Sequence, residues 1–353
     1  MFDKPRMWLR RGVVVIRTRL ATWFRRKLPP AGRWETGEHR EPSGQLTFAP
    51  FVAPQRSYRL YIPAGHEAAE RLPLLVMLHG CKQDAELFSA GTRINNLADR
   101  QRFLVLYPEQ RRLANPGRCW NWFDPSCQHN AGEAAIIAGI VRTVARKYHV
   151  DEARIYLAGM SAGGAMVSAL ASCYAELFAA CAVHSGLMFQ AAASPAAALP
   201  AMHHGADYDP AQAAKRAFEI SGHKVSAMPM MVIHGEQDTT VNPINAEQLV
   251  TQFSTLNQLC AEANRHSFNA TKKHTTHHAH NDQYRYQVHD YGDGERPLVR
   301  RVSVAGMGHA WAGGNPRYPY NDARGPNASE MMWTFFQLHR RTSSANAQPT
   351  EHL

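Results

Sequence analysis

No stretch of the chain approaches the roughly 18 consecutive apolar residues that a membrane span requires, although 44% of its 353 residues are hydrophobic. No internal repeat is visible, which excludes a solenoid or propeller. Cysteine is scarce: six residues (Cys81, Cys119, Cys127, Cys173, Cys181, Cys260) are too few to build a disulfide scaffold at this length. Acidic side chains are almost missing from residues 1–33, where Asp3 stands against ten basic residues. Subtracting these from the totals of 39 basic and 29 acidic residues leaves 29 and 28 for the other 320 positions. The formal charge of +10 is therefore a property of the N-terminal segment. A nearly neutral body excludes reading the whole chain as a nucleic-acid binder.

What is present begins with that basic segment. Leu9, Val13, Ile16, Leu20 and Phe24 recur at helical spacing, with Arg10, Arg11, Arg17 and Arg25 off the stripe. The pattern predicts a short amphipathic helix suited to an anionic membrane or granule surface. Its apolar run, Val13 to Ile16, is too short for a clean export signal. Pro29-Pro30 and the polar residues to Ser43 read as a linker. The expected organisation is thus an appendage over 1–40, one folded unit over 41–341 and a loose polar tail over 342–353.

From Phe48 onward strands and helices alternate. Tyr58–Ile62 reads as an edge strand. Leu72–Leu78 is a continuous apolar run, as in a strand buried on both faces; Phe103–Tyr107, Ile155–Ala158, Ala179–Val183 and Met230–Ile233 continue the strand series, and Val299–Val304 reads as a late strand. Helical patterns fall over 84–99, 131–148 and 329–340, and Trp120–Asn130 reads as an aromatic loop. This alternation predicts an α/β fold: a mostly parallel central sheet with helices on both faces.

The most informative motif is Gly159-Met160-Ser161-Ala162-Gly163, between a predicted strand and a predicted helix. A serine on such a tight turn projects its hydroxyl above the sheet edge, and the helix N-terminus favours developing negative charge. The pattern points to a serine hydrolase. A serine hydroxyl needs a base, and the base needs an acid to fix its tautomer. In chain order the acid candidate is Asp238, in the loop after Met230–Ile233, with Glu236 as its rival. The base candidate is His309, in Gly306-Met-Gly-His309-Ala-Trp311; His184 and His234 read as core-edge histidines. Two backbone N–H groups, of Ala162 and Cys81, are the expected oxyanion donors. The sequence leaves Cys81 and Cys119 either bridged or free, according to redox compartment.

His79-Gly-Cys-Lys-Gln-Asp84, Leu97-Ala-Asp-Arg100, Leu104-Val-Leu-Tyr-Pro-Glu-Gln110, Cys119-Trp-Asn-Trp-Phe123, the serine turn and Gly306–Trp311 occur in this order. Together they closely resemble the polyhydroxybutyrate depolymerase-type esterases, α/β-hydrolases similar to feruloyl and acetylxylan esterases. The resemblance covers about residues 45–340. It implies carboxylic-ester hydrolysis through Ser161, Asp238 and His309, without metal or cofactor. It also implies that Trp120, Asn121 and Trp122 border the acyl cleft, and its motifs put Gln83 and Trp311 on the substrate side. The expected substrate is poly(3-hydroxybutyrate), its oligomers or small esters, with feruloyl or acetylxylan esters as the alternative. A non-catalytic surface-binding protein is the rival of another class. The resemblance favours an extracellular location, against a granule-associated cytoplasmic one. Lys82, where the family usually has threonine, and Cys127 depart from the pattern. So does a His-rich segment (His274, His277, His278, His280, Asp282), read as an exposed polar loop rather than a metal site.

Overall fold

The computed structural model describes residues 32–41, 55–222, 227–266, 268, 273–279, 282–292 and 296–341. The basic stripe of 1–31, His280 and the tail from 342 lie outside the described residues. Ten strands form one sheet. In chain order they are β1 (Arg33–Arg40), β2 (Gln55–Ile62), β3 (Leu74–Leu78), β4 (Leu104–Pro108), β5 (Ile155–Met160), β6 (Ala180–His184), β7 (Met230–Gly235), β8 (Lys273–His278), β9 (Tyr286–Tyr291) and β10 (Val299–Val304). Their spatial order is β1-β2-β4-β3-β5-β6-β7-β10-β9-β8. The six central strands, β4 through β10 in that order, run parallel, while the outer pairs are antiparallel. This is the fold expected from the sequence.

Alternate residues of the central strands enter different layers, as the period of 2 requires. Leu74, Val76, Leu78, Leu157 and Val183 pack under α3 (Gly132–Lys147), α4 (Ala162–Cys173) and α7 (Ile244–Ala263). Leu75, Met77, Tyr156, Ala158 and Ile233 pack under α1 (Ala85–Thr92), α2 (Ile94–Gln101) and α8 (Ala328–Gln337). The elements α5 (Pro195–His204) and α6 (Pro210–Ile220) complete the first layer. Each fully buried Leu, Ile or Val contributes about 1.5–3 kcal/mol relative to exposure.

Three expectations change. Tyr58–Ile62 is not an edge: β2 lies between β4 and β1, and β1 arises from residues assigned to a linker. Its sequence is polar, so alternation carried no hydrophobic signal; Trp34 nevertheless meets Tyr61 edge-on at 5.3 Å, and Tyr148 donates to Glu35 at 2.5 Å. The predicted helix 84–99 is two helices, broken where Arg93 adopts φ 56°. The His-rich segment is strand β8, hydrogen-bonded to β9 at the far edge. No cluster of three or more metal-ligating side chains occurs among the described residues. No helix among them is long and apolar enough to cross a membrane.

Candidate active site

The carboxyl ends of β3, β5, β7 and β10 supply the loops that carry the candidate residues, the end at which open parallel sheets bind ligands. Strand β5 ends at Met160 and α4 starts at Ala162, so the chain must reverse within Ser161. Ser161 does this at φ 57°, ψ −124°, a region that costs a non-glycine residue about 1–3 kcal/mol. The strain is offset by the backbone: Ser161 N–H donates to the His184 carbonyl at 3.0 Å, and Ser161 C=O accepts from Ala165 N–H at 2.9 Å. The flanking glycines have a steric reason. A Cβ on Gly159 would lie 2.6 Å from the Gly163 carbonyl carbon, and one on Gly163 would overlap the Leu78 and His79 carbonyls. Helix α4 therefore sits backbone to backbone on β3 and β5, its N-terminus under the serine.

The acid and base candidates meet directly. Asp238 is buried in the loop after β7, and its Oδ1 accepts from the N–H groups of Thr240 (2.9 Å) and Val241 (2.8 Å). Its Oδ2 lies 2.7 Å from His309 Nδ1. Burial alone would raise the Asp238 pKa, but the hydrogen bond and charge of His309, with the Val241 N–H, hold it below the ordinary carboxylate value. An ionised Asp238 is only an acceptor, so the ring nitrogen that meets it, His309 Nδ1, carries a proton. Glu236, the rival, is exposed. Among the described residues the Ser161 hydroxyl makes no hydrogen bond, so the Ser161–His309 contact is not closed in this structure. Such contacts commonly tighten only when substrate is bound.

Two further histidines brace these loops. His184 ends β6, fully buried; its carbonyl holds Ser161 N–H and its Nε2 accepts the Ala312 N–H at 3.1 Å. Its ring also stacks on Trp311 at 5.0 Å. One residue thus ties the serine turn to the loop of His309. Burial, and then repulsion from His234 and His309, pushes its pKa down to about 3. His234 donates from Nε2 to the Val241 carbonyl at 2.8 Å and lies 3.5 Å from Asp238 Oδ2. Burial lowers its pKa, so the second contact is that of a neutral ring rather than an ion pair. Both are buried, as expected of core-edge histidines, and their bracing of the loops has no local sequence signal.

Cys81 opens the turn after β3 and is disulfide-bonded to Cys119, 38 residues on. Lys82 takes φ 63° there and donates its N–H to the Gly117 carbonyl at 2.7 Å. Among the described residues neither Cys81 N–H nor Ala162 N–H has an acceptor, which leaves both free for an anionic oxygen. Gln83 is buried and its Oε1 accepts the Gly80 N–H at 2.9 Å. That bond braces the turn.

The aromatic loop also differs from expectation. Trp120 and Trp311 are wholly buried, the first beside the His79 ring at 5.4 Å and the second edge-on to Phe88 at 5.5 Å. Neither offers surface to a substrate in this state. Trp122 is nearly buried, and Asn121 is committed to a polar network that sequence reasoning missed. Glu133, buried on α3, accepts from Arg56 (2.8 Å), Gln110 Nε2 (2.6 Å), Asn121 N–H (2.8 Å) and Asn121 Nδ2 (3.0 Å). A lone acid among the apolar residues of α3 was the available clue, since a buried charge demands partners. The network holds the Cys119–Phe123 loop, and through the disulfide the Cys81 turn.

Comparisons with known proteins place this geometry in context. The family described as "Esterase PHB depolymerase" matches residues 56–275. Poly(3-hydroxyalkanoate) depolymerase C of Paucimonas lemoignei is 31% identical over 251 residues, which cover 70% of this chain and 57% of that protein. The chain thus spans little more than half the length of that relative. Feruloyl esterase B of Neurospora crassa is 30% identical over 296 residues, 79% of this chain and 88% of that one. Among solved structures, an acetyl xylan esterase from Aspergillus awamori superposes with a TM-score of 0.66 at 21% identity, covering 86% of this chain and 99% of the other. At that identity the likeness shows the fold.

Proposed function

The chain belongs to the esterase PHB depolymerase family, and on that premise we propose that it is a carboxylic-ester hydrolase in which Ser161, His309 and Asp238 cleave short 3-hydroxyalkanoate esters through an acyl-enzyme. The observation that carries the reading is the 2.7 Å contact between Asp238 Oδ2 and His309 Nδ1 at the same sheet edge as the strained Ser161. It leaves His309 Nε2 able to take the Ser161 proton once substrate brings the two into contact. Ser161 Oγ then attacks the ester carbonyl, and the oxyanion is held by the N–H groups of Cys81 and Ala162. His309 passes its proton to the leaving alkoxide. Water, deprotonated by the same nitrogen, releases the acid and restores Ser161.

Ser161→Ala should leave less than about 1% of the wild-type kcat on a p-nitrophenyl ester. Higher residual activity in a folded variant rules out Ser161 as nucleophile. A second reading, hydrolysis of feruloyl or acetylxylan esters, is favoured by the coverage of the feruloyl esterase relative. Comparing release of 3-hydroxybutyrate from trimers with release of ferulate or acetate from xylan fragments separates the two. Docking of the N-terminal segment to an anionic surface is proposed on its basic residues and the apolar stripe between them. Removing residues 1–31 should abolish binding to anionic vesicles and spare turnover.

A further inference from the structure

A cavity of about 270 Å³ opens beside the Cys81 turn. Its charged walls are Arg59, Arg111, Arg112 and Arg118 against Asp84 and Glu109. Four cations face two anions, and both anions are already engaged. Asp84 Oδ2 lies 3.0 Å from Arg118 Nη1, and Glu109 Oε1 lies 3.7 Å from Arg59 Nε. Among the described residues Arg111 and Arg112 have no carboxylate partner. A surplus of guanidinium forks in a concave site is the arrangement that recognises a planar carboxylate in bidentate fashion.

The cavity is also tied to the proposed oxyanion site. Asp84 follows Cys81 by three residues, so their backbones are separated by at most about 10 Å. The arginine loop is fastened to the same turn by the Cys81–Cys119 bridge and by the bond from Lys82 N–H to Gly117. Asp84 lines the cavity, so that wall lies within about 10 Å of the backbone that would hold the ester carbonyl at Cys81. The volume falls below the roughly 300–1,000 Å³ of whole-ligand pockets and suits one end group.

We propose that this cavity is a subsite for the free carboxylate of the ester substrate, the terminal carboxylate of a short hydroxyalkanoate oligomer, with Arg111 and Arg112 as its ligands. The inference rests on the ester-hydrolase reading given above and narrows its substrate class to anionic, end-recognised esters. Neutral polymer interior would gain nothing from these residues.

The test compares a 3-hydroxybutyrate trimer bearing its free carboxylate with the same trimer as its methyl ester. The wild type should prefer the free acid in kcat/KM by about tenfold, the range of one charge-assisted hydrogen bond at a partly exposed site. In the double variant Arg111→Gln, Arg112→Gln the ratio of the two substrates should fall toward one. In Arg111→Lys, Arg112→Lys, which keeps the charge without the fork, an intermediate ratio is expected. Equal rates on acid and methyl ester in the wild type overturn the subsite, as does a preference that survives in the Gln variant. Absence of turnover on either trimer and on a p-nitrophenyl ester would instead strike the hydrolase reading itself.

Discussion

Replacing Asp238 with asparagine changes one atom type at the centre of the proposed relay and leaves its shape. In the wild type, Oδ1 accepts two backbone N–H groups, at 2.9 and 2.8 Å, so an asparagine must place its carbonyl oxygen there. Its NH₂ then faces His309 Nδ1, where a carboxylate oxygen stood at 2.7 Å. Two N–H groups cannot share that contact, so His309 is driven to the tautomer with its proton on Nε2. That nitrogen can no longer accept a proton from Ser161. The expected loss in kcat is about 10⁴-fold, as for the same substitution in a serine-protease triad, with KM nearly unchanged. The variant also loses a charge-assisted hydrogen bond, a cost of about 1.5–3 kcal/mol. Because the folded-state pKa of Asp238 is depressed, its ionic contribution to stability is present above the unfolded value and vanishes as pH falls through the folded one. The Asn variant should therefore lack that acid-sensitive component. Steady-state kinetics on p-nitrophenyl butyrate and urea denaturation across pH measure both. Glu236→Gln, at an exposed site, serves as the control and should retain near wild-type kcat. Retention of more than a few per cent of kcat by a folded Asp238→Asn protein would refute the tautomer argument.

The remaining expectations concern the scaffold around this pair. Buried His79, His184 and His339 have pKa values lowered mainly by burial, to about 4, 3 and 4. The unfolded chain therefore binds more protons below about pH 6.5, and stability should fall by about 2 kcal/mol per histidine from pH 7 to pH 5; a flat urea midpoint over that window contradicts the assignment. Glu133→Gln should cost about 3–5 kcal/mol, because it removes one charge of the buried Arg56–Glu133 ion pair. The double variant Arg56→Met, Glu133→Met should remain destabilised, since Gln110 and Asn121 also lose their acceptor; full recovery in urea would reduce the network to a simple ion pair. Opening the Cys81–Cys119 bridge by Cys81→Ser, Cys119→Ser should lower stability by up to about 4 kcal/mol on the chain-entropy estimate for a 38-residue separation. An unchanged unfolding midpoint would mean that the bridge does not restrict the unfolded chain.

Much of the architecture was legible because the signals are local. Apolar runs marked every central strand except β10, whose Val-Arg-Arg-Val-Ser-Val is half polar, and the turn at Ser161 was readable since only a glycine-flanked residue can pass from β5 into α4 without backbone overlap. Asp238 and His309 could be nominated from their positions after strands. By itself the sequence determined the sheet's parallel core, the family and the residues nominated for the chemistry, because periodicity and motif spacing are properties of neighbouring positions. Only the tertiary structure decided that a polar stretch becomes edge strand β1, that Trp120 and Trp311 lie inside the core, and that His184 and Glu133 hold the loops. Those outcomes depend on contacts between residues far apart in the chain, 128 positions for His184 and Ala312 and 223 for Phe88 and Trp311. A buried charge or lone pair chooses its partner by proximity after folding, and no local pattern encodes that choice.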